Sequence, residues 1–266
     1  MSDGVLQPAQ VAQRAADNGV QLWSLTDHDE VRGLAQAQEA SQQLGLQFIS
    51  GVEISAAWAG QSVHIVGLNI DPNEARLNAG LARIRECRVD RAIIMGRRLE
   101  SLGWPGAYEG ALRYAGNPAL VSRTHFARFL VEQGACENLQ EVFNKYLADG
   151  KPGYVRGQWA TVQQAVEWIH RAGGVAVIAH PGRYNYTDTQ EHALFDEFRQ
   201  LGGEAIEVIT GSHRPEDYAK YTQLAQHYGF MASRGSDFHA PSESKIDMGA
   251  LPPLPEGLVP VWRDWV

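Results

Sequence analysis

The stretch Thr161–Arg183, TVQQAVEWIHRAGGVAVIAHPGR, decides how the rest of the chain is read. Thr161–Ala172 reads as a helix, and Gly173 follows it at once. Glycine is the residue that most easily takes the left-handed, helix-ending conformation. Val175–Ala179 is then a short apolar run of strand length, and His180-Pro181-Gly182-Arg183 closes it with polar, ligand-type residues. The same grammar recurs along the chain. Helical stretches at Pro8–Asn18, Arg32–Leu44, His192–Leu201 and Glu216–Tyr228 are each followed by a glycine: Gly19, Gly45, Gly202 and Gly229. Apolar runs come next, at Gln21–Leu25, Gln47–Ile49, Ala205–Ile209 and Phe230–Ala232, with a further strand at Ser62–Leu68.

Helices alternating with strands imply parallel β/α units, which close into a barrel or lie as an open doubly wound sheet. The polar residues at the strand ends favour the barrel. They are Thr26-Asp27-His28-Asp29, Glu53, His64, His180 to Arg183, Ser212-His213 and Asp237-Phe238-His239. A barrel gathers all strand C-termini on one face, so these groups would meet in a single site. The expected fold is therefore α/β, a barrel over residues 1–70 and 159–266. Residues 71–158 break the rhythm, being mostly helical (Asn73–Leu102, Arg123–Gln133), and read as a helical insertion. The tail from Leu251, with Pro252, Pro253, Pro255 and Pro260, reads as an extended segment on the surface.

Of 266 residues, 44% are hydrophobic and 20% charged, which is enough apolar material for a core. No apolar run reaches the roughly 18 residues that span a bilayer, and no leader pattern opens the chain, so the expected location is the cytoplasm. Cys87 and Cys136 match no metal or redox spacing. A formal net charge of −8 argues against broad binding of duplex nucleic acid, which needs Lys and Arg to displace counterions. A small phosphorylated ligand held by a few arginines remains compatible, and an acidic balance suits a site that gathers divalent cations. A monomer is compatible with all of this.

Asp, Glu and His together are the ligand set for Zn, Mn or Fe, and no cysteine takes part. Any one of these histidines alone would be a satisfied core or surface group. Glu53 is less bland: between Val52 and Ile54, an acidic residue in an apolar run needs a partner. His64 interrupts Val63 and Ile65 likewise, and Asp237 and His239 share a strand face by period-two geometry. The expected metal ligands are Asp3, His28, Glu53, His64, His180, Asp237 and His239. Clustered divalent metals supply an activated water and neutralise phosphoryl oxygens without a protein nucleophile. His170, His192 and His227 lie on helical stretches and read as surface groups.

The motifs Thr26-Asp27-His28-Asp29, Gly51-Val52-Glu53-Ile54, Ala179 to Arg183 and Gly235-Ser236-Asp237-Phe238-His239 resemble those of the PHP (polymerase and histidinol phosphatase) superfamily. The similarity is greatest to its TrpH/YciV-like branch of 3′,5′-nucleoside bisphosphate phosphatases and 5′→3′ exoribonucleases. The resemblance implies a distorted (β/α)7 barrel with two or three Mn, Fe or Zn ions on the ligands above. It implies that the insertion covers the site and contributes phosphate contacts. Ser122-Arg123-Thr124-His125 resembles the anion-binding stretch, and Arg183 is a second candidate, so Arg123, His125 and Arg183 are the expected substrate contacts. Asp237 and His239 are the expected catalytic residues. Family members open with a strand ending in a His-x-His pair, whereas Met1 here directly precedes Ser2-Asp3-Gly4. The first barrel strand is thus expected to be missing, with fewer metals bound and poor activity.

The leading expectation is removal of the 3′-phosphate from a 3′,5′-nucleoside bisphosphate. The alternatives are 5′→3′ exoribonuclease action on short RNA, a catalytically impaired PHP module and, more weakly, a metal-dependent amidohydrolase. The last has no use for paired arginines.

Overall fold

The computed structural model describes residues 3–265. Its frame is a hairpin, β2 (Gln47–Trp58) running antiparallel to β3 (Gln61–Leu68). Ala59 and Gly60 form the whole connection, with φ of 44° and 82°. Two central residues at positive φ match the twist of the flanking strands, and a link this short permits only antiparallel pairing. β1 (Leu22–Leu25) adds in parallel to β2 on one side. On the other side β5 (Val175–Ile178) pairs antiparallel with β3, followed in parallel by β6 (Ala205–Thr210) and β7 (Met231–Gly235). The two-residue β4 (Ala160–Thr161) pairs with Ala56 and Ala57 of β2.

The sheet curls into a half-barrel and, among the described residues, β1 and β7 do not pair. The expected parallel β/α units are corrected at β3, which runs against both of its neighbours, and the sheet is open between β1 and β7. Spacing of apolar runs carries no strand direction. The run at Gln47–Ile49 was also only the first quarter of β2, which continues through Glu53 to Trp58. Expectations tied to the chain before Asp3 fall on Met1 and Ser2, which lie outside the described residues.

Period two divides each strand between two cores. Val52, Ile54, Ala56, Val63, Ile65, Ala176, Ile178, Ile206 and Val208 pack outward. They meet α7 (Val162–Arg171), α8 (Asp188–Gln200) and α9 (Pro215–Tyr228). The alternate residues Val66, Leu68, Val177 and Ala205 face inward and are closed off by Val261, with Trp262 and Trp265 packed against them. The proline-rich tail is thus more than a surface strap. Ala232 of β7 donates to Val259 O and accepts from Val261 N–H, so the tail adds a rung beside β7 and seats its end in the apolar floor.

α1 (Pro8–Asp17) and α2 (Leu34–Leu44) flank β1 around Ala12, Ala15, Trp23 and Ala37. Residues 75–147 are helical: α3 (Ala75–Ser101), α4 (Ala107–Leu112), α5 (Arg123–Glu132) and α6 (Leu139–Val142), then a π turn at Phe143–Leu147. α3 is 27 residues long, and at about 1.5 Å per residue it reaches roughly 40 Å. Its first half packs Leu77, Leu81 and Ile84 onto the sheet's helical layer. Its second half packs Met95 and Leu99 with Phe126, Leu130 and Leu147 in a separate apolar cluster. Gly80 lets α3 lie against α7, because a Cβ there would come within 2.6 Å of the Trp168 ring.

Candidate metal centre

The alternation that fills the floor with apolar groups places Glu53, His64 and Glu207 on the same inward face, nearer the open end. Glu53 is the hub. Its Oε1 lies 2.8 Å from His64 Nδ1 and 2.9 Å from His180 Nε2, and those two nitrogens are 3.2 Å apart. Its Oε2 is 3.4 Å from His28 Nδ1. His64 reaches this end from near the start of β3, because β3 runs in reverse. Strand C-termini therefore do not supply every ligand.

Ligand atoms of His28, Glu53 and His64 lie within 4.8 Å of one another, as do those of Asp3, His28 and His239, so His28 belongs to both sets. Asp237 accepts from Arg183 Nη1 at 2.8 Å and has Oδ1 3.6 Å from His239 Nδ1. The structure thus brings together all seven expected ligands. Three imidazoles and a carboxylate crowded at under 3.5 Å is a donor set that divalent cations fit. His180 Nδ1, on the far side of its ring, has no hydrogen-bond partner among the described residues.

Burial and charge set the protonation states. Burial pushes the Glu53 carboxyl up, but His28 and His64 beside it and a hydrogen bond from His180 hold it well below the usual carboxylate range. Burial lowers His64 to about 4, leaving it neutral with a lone pair to offer. At the other set, burial disfavours a charged His239, yet Asp3 outweighs this and raises it to about 10. Asp3 is in turn held well below its ordinary value by His239 against the cost of burial.

A surrounding layer fixes the ligands. Asp29 N–H donates to Glu53 O at 2.9 Å and Glu53 N–H to Asp27 O at 3.2 Å, tying the His28 loop to β2. Tyr184 Oη accepts from His64 N–H and donates to Ala179 O. Glu207 accepts from His180 N–H at 2.7 Å, and burial raises its carboxyl to about 8. Asp29, His180 and Asp237 have φ of 52°, 28° and 53°. Such values are uncommon outside glycine, and here they fall beside or on the ligands.

The expected substrate contacts are placed differently from one another. Arg183 is half-exposed at the mouth on Asp237. Arg123 begins α5, half-buried, with its guanidinium over the rings of Phe143 and Tyr154. His125 is fully buried and its Nδ1 accepts from Ser122 N–H at 2.9 Å, closing the first turn of α5. His213 does not reach the mouth. It lies beneath the His-Pro-Gly turn, stacked on Tyr221, with Nε2 accepting from Gly182 N–H.

Sequence reasoning passed over Glu207 and Arg88, and named Asp29 only as part of its motif. Glu207 carried the signal used for Glu53, an acid inside the apolar run Ala205–Ile209. The cavity at the open end lies between edge strands β1 and β7 and has a volume of about 150 Å³. Asp3, His28, Glu53, His180, Asp237 and His239 line it. No described helix is long and apolar enough to cross a membrane.

Comparison with known proteins agrees with this geometry. The PHP domain family matches residues 1–210. A 3′,5′-nucleoside bisphosphate phosphatase of Chromobacterium violaceum is 50% identical over 263 residues, covering 99% of this chain and 92% of its own. The 5′-3′ exoribonuclease Rnm of Escherichia coli is 43% identical over 266 residues, covering 99% and 90%. Among solved structures, an amidohydrolase from C. violaceum, with bound sulfate and no metal, superposes with a TM-score of 0.95 at 50% identity. It covers 98% of this chain and 91% of its own. A protein from Bifidobacterium adolescentis described as a metal-dependent phosphoesterase gives 0.82 at 26% identity, covering 98% and 89%.

Proposed function

The chain belongs to the PHP-domain family, and from that premise we propose that its acidic-histidine cluster removes the 3′-phosphate from 3′,5′-nucleoside bisphosphates. It is a phosphoric ester hydrolase that depends on divalent metal. The observation that carries the reading is the pair of ligand sets joined at His28, with an arginine at their rim. Asp3, His28 and His239 would hold one cation. His28, Glu53 and His64, with His180 beside them, would hold a second, and Asp237 completes the set. The two ligand sets suit up to two ions of Mn, Fe or Zn, fewer than the full three that the resemblance implies for the family. Bound there, such ions supply an activated water and neutralise charge on the phosphoryl oxygens.

The remaining steps belong to the chain's own residues. Arg183, which donates to Asp237 here, offers a fork that matches two phosphoryl oxygens and would be free for them where Asp237 holds a cation. Arg123 adds a second positive charge from the helical side. The departing 3′-oxygen needs a proton, which Asp237 or His239 can give only while it is not holding a cation. We also propose the finer frame of a distorted (β/α)7 barrel, with residues 71–158 as a cap over the strand ends.

A second reading, stepwise hydrolysis of short RNA from its 5′ end, has one observation in its favour. Arg183 is half-exposed at the rim, so the mouth opens to solvent and whatever follows the scissile bond can extend outside. A single nucleoside and a chain then meet the same mouth. Duplexes do not fit this reading, given the −8 charge.

The test is product analysis with added Mn²⁺, Fe²⁺ or Zn²⁺. Adenosine 3′,5′-bisphosphate is expected to yield 5′-AMP and inorganic phosphate, and a 5′-phosphorylated oligoribonucleotide to yield 5′-mononucleotides. Outer-shell changes at metal sites cost about 10- to 100-fold, so Glu53→Gln is expected to lower kcat/KM by at least about 100-fold. No hydrolysis of either substrate with any of the three metals, or a fully active Glu53→Gln, defeats the reading.

A further inference from the structure

The turn that carries His180 and Arg183 has two backbone N–H groups that it does not satisfy itself. Arg183 N–H donates to His180 O and Tyr184 N–H to Pro181 O, both inside the turn. Pro181 has no N–H to place. His180 N–H and Gly182 N–H remain, and side chains from β6 and the loop after it take both. Glu207 of β6 accepts from His180 N–H at 2.7 Å, and His213 Nε2 accepts from Gly182 N–H at 3.0 Å. His180 sits at φ 28° and ψ 58°, a conformation that persists only where its surroundings over-determine it.

His213 is a fixed acceptor. Its Nδ1–H donates to Val208 O at 3.0 Å, which leaves the lone pair on Nε2, and burial lowers its pKa in favour of this neutral form. Its ring stacks on Tyr221 of α9, with centroids 4.7 Å apart and planes 21° from parallel. Tyr221 is buried in turn. Its hydroxyl donates to Glu191 Oε1 of α8 at 2.7 Å, and Lys220 Nζ lies 2.6 Å from Glu191 Oε2. The imidazole therefore has no room to retreat, and the turn lies close against it. A Cβ on Gly182 would come within 2.9 Å of His213 Cδ2 and 3.3 Å of Tyr221 Cε2.

We propose that His213 is a positioning residue for the metal centre, holding the His180–Arg183 turn so that His180 Nε2 meets Glu53 Oε1 while Arg183 reaches the rim. Through Tyr221 and Glu191 the packing of α8 on α9 then bears on a ligand at the mouth. A ring that only filled space would need neither the Val208 nor the Gly182 hydrogen bond. The inference deepens the function proposed above, and rests on it for the turnover readout alone.

Three variants separate the hydrogen bond from the packing. His213→Phe keeps a ring on Tyr221 and offers no acceptor. His213→Gln restores an acceptor near the Nε2 position. Gly182→Ala leaves His213 in place and pushes the turn off it. Mn²⁺ affinity is measured by calorimetry on the metal-free chain, and kcat with adenosine 3′,5′-bisphosphate at saturating Mn²⁺. Outer-shell changes at metal sites cost about 10- to 100-fold, so His213→Phe and Gly182→Ala are each expected to lose that factor in Mn²⁺ affinity or kcat. His213→Gln should recover part of it. In a His213→Ala background, which opens the space a new Cβ needs, Gly182→Ala should add little. Melting temperature in EDTA reports folding separately. Gly182 is exposed, so Gly182→Ala is expected to fold and decides alone where His213→Phe does not.

Wild-type Mn²⁺ affinity and kcat in folded His213→Phe, or in Gly182→Ala, overturn the proposal, as does strict additivity of Gly182→Ala with His213→Ala. A lowered melting temperature with both readouts intact marks a structural role alone and overturns it too. Mn²⁺ binding by wild type without any hydrolysis defeats the proposed function, and the Mn²⁺ affinities of the variants still decide on His213.

Discussion

His125 shows how one imidazole serves architecture beside a site made of others. It is fully buried, its Nδ1 accepts from Ser122 N–H, and burial lowers it to about 4. Below about 6.5 the unfolded chain takes up a proton that the folded chain refuses, so stability is complete above that value. It is lost as pH falls toward 4, at up to about 1.4 kcal/mol per pH unit. His125→Asn keeps a short acceptor without the titration. Urea unfolding of the metal-free chain from pH 5 to 6.5 should therefore show a slope about one proton shallower in His125→Asn, and parallel slopes would sink the assignment. At this scale the sequence was informative for groups that violate their surroundings. Glu53 and His64 stand out as polar breaks in apolar runs, and Glu207 could have been found the same way. Arg88 could not, because a basic residue on a helix looks solvated until its neighbours are placed.

Between elements, the firmest tie from the helical region to the ligand loop is Arg88 of α3. Its Nε donates to Asp29 Oδ2 at 2.7 Å and its Nη2 to Ser55 Oγ at 2.7 Å, while Asp29 Oδ1 accepts from Ser55 N–H. Arg85 Nη1 adds a donation to Asp29 O at 2.6 Å. Asp29 is wholly buried, so Arg88→Met strands its charge and should cost about 3–5 kcal/mol in urea unfolding. Adding Asp29→Asn, which tolerates the positive φ and can still accept from Ser55, should return part of that loss. Strict additivity would mean that the pair is not coupled. Helix ends were legible, since the glycines after α1, α2, α7, α8 and α9 all have positive φ. The direction of β3 was not. It depends on the two-residue Ala59-Gly60 turn, recognisable only once β2 is known to extend to Trp58. The tail was half legible: its prolines mark an extended segment, but Trp262 and Trp265 find their place only when the curled sheet leaves an apolar floor open.

Over the whole molecule, cations, protons and folding compete at one place. A net charge of −8 raises the local concentration of divalent ions, and the two ligand sets focus it on one end of the half-barrel. Without cations His239 is held protonated, at about 10, by Asp3. Raised above its unfolded value near 6.5, it stabilises the metal-free fold fully below that pH, and the benefit fades as pH rises toward 10. A cation on Asp3 and His239 must displace this proton. Metal binding therefore strengthens with pH across the range in which the proton's own contribution fades. Mn²⁺ at about 100 times its Kd adds roughly 2.7 kcal/mol to folding. Its effect on the melting temperature should be larger at pH 8.5 than at pH 6.5 and should vanish in EDTA. Calorimetric titration at pH 7 in buffers of different ionisation enthalpy should show about one proton released per chain. A thermal shift independent of pH, with no proton released, would mean that Asp3 and His239 keep their ion pair when metal binds. The set around Glu53 would then hold the cations alone.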